Sequence, residues 1–77
     1  MTEKEMLLEL GENIKSCMED ANMTQRELAN EIGVTEATIS YYLRGERMPS
    51  LTNIVNIAYA LGFGIDEIVN FDNVSIE

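Results

Sequence analysis

The stretch TQRELANEIGVTEATISYYLRG, residues 24–45, decides how this chain folds. It opens on Thr24-x-x-Glu27, the capping-box pattern, in which a cap hydroxyl and a glutamate carboxylate each satisfy one free backbone N–H at a helix start. Leu28, Ala29 and Ile32 follow at helical spacing, and Gly33 then supplies a residue that tolerates the left-handed conformation of a helix end. Only Val34 separates that glycine from Thr35, the cap of another helix that runs over about residues 35–44 and stops at Gly45. On a wheel of 100° per residue starting at Glu36, Ile39, Tyr42 and Leu43 gather between about 240° and 340°, while Ser40, Arg44, Ala37 and Tyr41 lie between about 40° and 140°. This helix therefore has an apolar back and a small polar front, either the ordinary solvated face of a surface helix or a surface narrow enough to enter a major groove.

Upstream, Leu7, Leu10, Ile14, Cys17, Met18 and Ala21 form one helical stripe, with Glu9, Glu12, Ser16, Glu19 and Asp20 on the opposite face. Downstream, residues 45–50 are a loop by their Gly and Pro punctuation. Ser50 caps a fourth helix that Gly62 ends, with Leu51, Ile54, Val55, Ala58 and Leu61 expected to face the core. A fifth helix opens over residues 64–69, carrying Asp66 and Glu67 in its first turn, where the helix dipole favours acids. Residues 72–77 read as a tail. No stretch alternates as a half-buried strand would, so the expected fold is all-α with five helices, the second and third forming a helix-turn-helix. The 77 residues are expected to make one domain, 1–77, with its core at about 7–71 between a short N-terminal lead and the tail.

Composition narrows the chemistry. Apolar residues at 45% and charged residues at 25% are the balance of a folded domain. The single cysteine, Cys17, forms no internal disulfide and reads as a buried small hydrophobe. With no histidine and no cysteine pair, the usual zinc sites and histidine-based catalysis are excluded, so neither a metal nor a cofactor nor an enzyme is expected. The first ten residues carry Glu3, Lys4, Glu5 and Glu9, unlike a signal peptide or a membrane span, and a soluble cytoplasmic protein is expected.

The elements Thr24-Gln25-x-Glu27-Leu28-Ala29, Gly33-Val34-Thr35, Ile39-Ser40, Leu43-x-Gly45, Pro49-Ser50 and Ile57-Ala58-x-Ala60-Leu61-Gly62 together resemble the Xre family, the lambda-repressor/Cro-type helix-turn-helix. They match in order and spacing over roughly residues 10–71. The resemblance implies a sequence-specific DNA-binding transcriptional regulator, generally a repressor, with its third helix in the major groove and its second across the backbone. It places Thr24 and Gln25 at the phosphate-binding start of the second helix, where free N–H groups add to the glutamine amide. Thr35 caps the third helix and stands close to the backbone. Glu36, Ala37 and Tyr41 occupy base-reading positions on a front that also carries Ser40, and Arg44 and Arg47 are the implied phosphate contacts. Glutamate accepts from cytosine N4, alanine packs on a thymine methyl, and the hydroxyls donate or accept.

Two departures from the family pattern stand out. Many members pair an arginine of the first helix with a glutamate near the end of the third; Met18 and Leu43 hold those positions here, an apolar pair in place of an ion pair. The first helix also carries few bases. The apolar residues Ile57, Phe63, Ile65, Phe71, Val74 and Ile76 exceed what a short fifth helix buries and imply a homodimer face, which would set two recognition helices about 34 Å apart over a palindromic site. The net charge of −9 points the other way, toward a protein-binding adaptor or antitoxin-like component on the same fold. That charge is segregated: residues 1–34 hold 8 acidic and 3 basic residues, 35–50 hold 2 of each, and 51–77 hold 4 acidic and none basic. The segment expected to meet DNA is neutral, with both its arginines at its end.

Overall fold

Five side chains fully withdrawn from solvent, Ile14, Leu28, Ile39, Ile57 and Ile68, come one from each of five helices. The computed structural model describes residues 1–71, in which the helices are α1 (Glu3–Ala21), α2 (Gln25–Ile32), α3 (Glu36–Leu43), α4 (Leu51–Leu61) and α5 (Ile65–Ile68), with no strand among them. Around the five lie Leu10, Cys17, Met18, Ala29, Tyr42, Ala58 and Leu61, all buried. None of the described helices is long and apolar enough to cross a membrane.

The caps explain where the helices begin. Thr24, Thr35 and Ser50 each accept a hydrogen bond from the backbone N–H three residues on, as their spacing predicts. The short N-terminal lead is helical from Glu3, because Thr2 and Glu5 form a further capping box: the Thr2 N–H donates to Glu5 Oε1 at 2.8 Å and the Glu5 N–H to Thr2 Oγ1 at 3.1 Å. With four residues, too few to fold alone, α5 is tied to α1 by Asn13, whose Nδ2 donates to the carbonyls of Ile68 at 2.9 Å and Asn70 at 2.7 Å.

Helix α4 corrects two expectations. Its buried face is Ile57, Ala58 and Leu61, with Ile54 partly covered, whereas Leu51 is 74% and Val55 41% exposed. The error has a physical source: residues 51–61 contain no charge, and apolar residues lie on more than one side of the helix, so periodicity alone does not choose which side turns inward. Ile57, expected on a dimer face, is fully buried and cannot contact a partner. Phe63 and Phe71 pack partly buried against the core, and Ile65 is exposed. Val74 and Ile76 lie outside the described residues.

Helix α1 meets α3 through Gly11, a position without a side chain for good reason. A Cβ there would stand 2.7 Å from the carbonyl oxygens of both Tyr42 and Leu43, backbone atoms that cannot swing away. Gly11→Ala should therefore lower stability by about 1–3 kcal/mol, the usual cost of overpacking, despite a helix-propensity gain of about 1 kcal/mol. Urea denaturation measures this, and an unchanged midpoint would mean that the two helices separate freely.

Candidate nucleic-acid interface

The geometry of the second and third helices is set by one tight turn. Gly33 ends α2 at φ 74°, a left-handed conformation that side chains with a Cβ adopt at a cost, and its N–H donates to the Ala29 carbonyl. Two residues later Thr35 caps α3, its Oγ1 accepting from the Thr38 N–H at 3.1 Å and meeting Thr38 Oγ1 at 2.9 Å. The back of α3 is buried through Ile39 and Tyr42, and the Tyr42 hydroxyl accepts from Asn53 Nδ2 at 3.0 Å, which satisfies the phenol and joins α3 to α4. With that face committed, Glu36, Ala37 and Arg44 are exposed and Ser40 and Tyr41 half-buried on the other.

The charged groups of this front are paired internally. Arg26 of α2 reaches Glu36 of α3 at 3.8 Å. The Arg44 Nε and Nη2 donate to the two carboxylate oxygens of Glu46 at 3.0 and 3.2 Å, and Nη1 donates to Ser40 Oγ at 2.6 Å. The ring of Tyr41 receives two guanidinium groups, Arg44 at 5.2 Å and Arg47 at 4.6 Å from its centroid. Arg47 has no ion-pair partner among the described residues.

Thr24 and Gln25 stand apart from this cluster, at the start of α2. The capping box there is reciprocal, with the Thr24 N–H donating to Glu27 Oε1 at 3.0 Å and the Glu27 N–H to Thr24 Oγ1 at 3.1 Å. The N–H groups of Gln25 and Arg26 have no acceptor among the described residues, nor does the half-buried Gln25 amide a partner, so three donors remain for an anion. Beside them opens a cavity of about 380 Å³ floored by Met18, Met23 and Leu43, the first and last being the apolar pair noted in the sequence.

Of the expected contact residues, Ser40, Tyr41, Arg44 and Arg47 form one contiguous group, while Thr24 and Gln25 form another. Sequence reasoning missed Arg26 and Glu46. The link of Arg26 to Glu36 crosses from one helix to the next, and Glu46 lies two residues from Arg44 in a loop, so neither pair falls on the i, i+4 spacing that reveals ion pairs along a helix.

The helix-turn-helix family profile matches residues 14–68. The chain is 34% identical over 61 residues to the cryptic phage CTXphi transcriptional repressor RstR of Vibrio cholerae, covering 79% of this chain and 54% of that one. It is 39% identical over 59 residues to a helix-turn-helix-type transcriptional regulator of Archaeoglobus fulgidus, covering 77% and 83%. The curated relatives differ widely in length: the chain spans 4% of one, about half of RstR and most of the Archaeoglobus protein. Among solved structures, the restriction-modification controller protein C.AhdI from Aeromonas hydrophila superimposes with a TM-score of 0.77 at 27% identity, over 80% of this chain and 94% of that one.

The capping boxes make a prediction of their own. The backbone N–H of Thr24, and then its hydroxyl, hold the Glu27 carboxyl below the ordinary 4.5, and Thr2 does the same for Glu5. Since each folded pKa lies below the unfolded one, the contribution to stability is complete above about pH 4.5 and is lost as pH falls through the folded value. An NMR carboxyl titration should place Glu27 below free glutamate. Thr24→Ala should raise that value toward normal and cost about 1 kcal/mol at neutral pH in thermal denaturation.

Proposed function

The chain belongs to the Xre-type, lambda-repressor-like helix-turn-helix family, and on that premise we propose that it is a cytoplasmic, sequence-specific transcriptional repressor that binds a palindromic operator as a dimer. The observation that carries this reading is the split character of α3: its back is locked into the core by Ile39 and Tyr42, which leaves a compact front of Glu36, Ala37, Ser40 and Tyr41 facing out. A helix with such a front fits the major groove. Thr24, Gln25 and the free N–H groups at the start of α2 then grip one phosphate, Thr35 approaches the backbone, and Arg44 and Arg47 take others.

Base readout in this proposal is thin. Glu36 accepts from a cytosine amine, Ala37 packs on a thymine methyl, and the hydroxyls of Ser40 and Tyr41 adapt to either partner; no arginine or glutamine offers the bidentate pairing worth about 1–3 kcal/mol. Two half-sites read together compensate for weak contacts at each. Beside the C-terminal region that the sequence suggests, α4 offers a second surface for pairing: Leu51, Val55 and Tyr59 recur at i, i+4 and i+8, exposed by 74, 41 and 87%, on a helix without a single charge. In a chain of net charge −9, a charge-free apolar stripe is where two copies approach with least repulsion. The exposed Ile65 of α5 adds to the apolar surface available. RstR and the Archaeoglobus relative are named as transcriptional regulators, a role without catalysis, and the proposal assigns none.

A labelled duplex from the region upstream of the gene, titrated at several salt concentrations, tests the reading. Affinity should fall steeply as salt rises, and Arg44→Glu with Arg47→Glu should abolish specific binding while leaving circular dichroism unchanged; milder Arg→Gln changes at both should reduce the salt slope by about 2. A folded wild type that binds nothing even at low salt would turn the reading toward a protein partner. For the dimer, Val55→Glu with Tyr59→Glu should yield a monomer in sedimentation equilibrium, and a persisting dimer would exclude the α4 stripe.

A further inference from the structure

Arg44 is expected to hold a phosphate, yet in the free protein all three of its guanidinium nitrogens are engaged. Glu46 takes Nε and Nη2 in a planar, two-point pair, and Ser40 takes Nη1. The two oxygens of a carboxylate meet a guanidinium edge in the same way as two oxygens of a phosphate, with the same sign of charge. Glu46 is also placed for the task by the backbone. The chain turns at Gly45 after α3, and the Glu46 N–H donates to the Tyr41 carbonyl at 2.9 Å, which fixes the carboxylate's root beside the arginine.

We propose that Glu46 is an internal competitor for the DNA phosphate at Arg44: a carboxylate that clamps the arginine in the free protein, withholds it from loose contact with duplex DNA of any sequence, and is displaced when α3 seats in the major groove. This rests on the reading that the front of α3 faces DNA. The arrangement suits the exchange. Both partners are about half exposed, at 51 and 52%, so the carboxylate can leave for water without being stranded. When it leaves, the Tyr41 ring and the Ser40 hydroxyl still hold the guanidinium, so Arg44 meets its phosphate already oriented.

The consequence is electrostatic restraint. Association with arbitrary DNA depends on the number of phosphates that cations neutralise. Arg26 is shared with Glu36 and Arg44 with Glu46, which leaves Arg47 as the one arginine of this surface without a carboxylate partner among the described residues. A protein resting loosely on DNA therefore offers a single uncompensated arginine, and Glu36 and Glu46 repel the backbone. The clamp makes the second arginine conditional on correct seating.

The test uses the full chain and a duplex of arbitrary sequence, followed by fluorescence anisotropy across a salt series. Glu46→Gln should steepen the salt slope by about 0.9, one additional phosphate, and tighten binding about eightfold at 0.1 M salt on that basis. In an Arg44→Gln background the same change should give no such gain in slope, because the released arginine is gone. The proposal is overturned if Glu46→Gln leaves affinity and slope unchanged, or if the gain is equally large without Arg44, which would make it an effect of net charge alone. If neither wild type nor Glu46→Gln binds any duplex at low salt while both remain folded, the DNA reading itself fails, an outcome distinct from an unchanged slope in a protein that binds.

Discussion

Burial of Ile39 and Tyr42 sets the rotation of α3 about its own axis, and every feature of the interface inherits that rotation. An eight-residue helix has little stability of its own, so it exists here because its apolar back closes the core. The contacts around it are correspondingly close. Gly11 lets the backbone of α1 reach the last carbonyls of α3, Asn53 satisfies the one polar atom that α3 buries, and Gly33 joins α2 to it across a minimal turn. Shifting α3 by one position along the wheel would bury Ser40 or Tyr41 and turn Ile39 to water, so the packed back and the readable front are two sides of one constraint.

The charge distribution follows a second logic. A chain with 14 acidic and 5 basic residues is a poor prospect for a phosphate-binding surface if the charges are spread evenly. They are not: the fold gathers Arg26, Arg44 and Arg47 around the front of α3, and residues 51–71 carry no base. The same fold then moderates what it gathers, pairing Arg26 with Glu36 and Arg44 with Glu46. Long-range repulsion from the rest of the molecule and short-range pairing at the front act together. On the proposed reading, such a surface would hold DNA where shape and contacts agree and only weakly elsewhere.

Local signals were legible wherever a residue acts on its own neighbours. The caps Thr24, Thr35 and Ser50, the left-handed Gly33 and Gly62, the buried stripe of α1 and the two faces of α3 were all apparent from spacing. Cys17 is the buried small hydrophobe expected, its thiol pushed up first by burial and then by the charges of Glu67 and Asp20. The capping box at Thr2 carries the same pattern as the one at Thr24 and was legible too, but the apolar stripe starting at Leu7 drew the boundary later than the backbone does.

By itself, the sequence determined that this chain is a set of short capped helices with a helix-turn-helix at its centre, because capping and periodicity are interactions within a few residues. Only the tertiary structure decided which side of α4 turns inward, since a helix apolar on several sides is oriented by what packs against it; Ile57 goes to the core while Leu51, Val55 and Tyr59 face solvent. It alone brought Asn13 to the end of α5, a hydrogen bond that spans 55 residues of chain. It likewise decided the partners of the arginines. Distances of a few ångströms between charges on different elements depend on how helices cross and loops turn, and no local pattern encodes them.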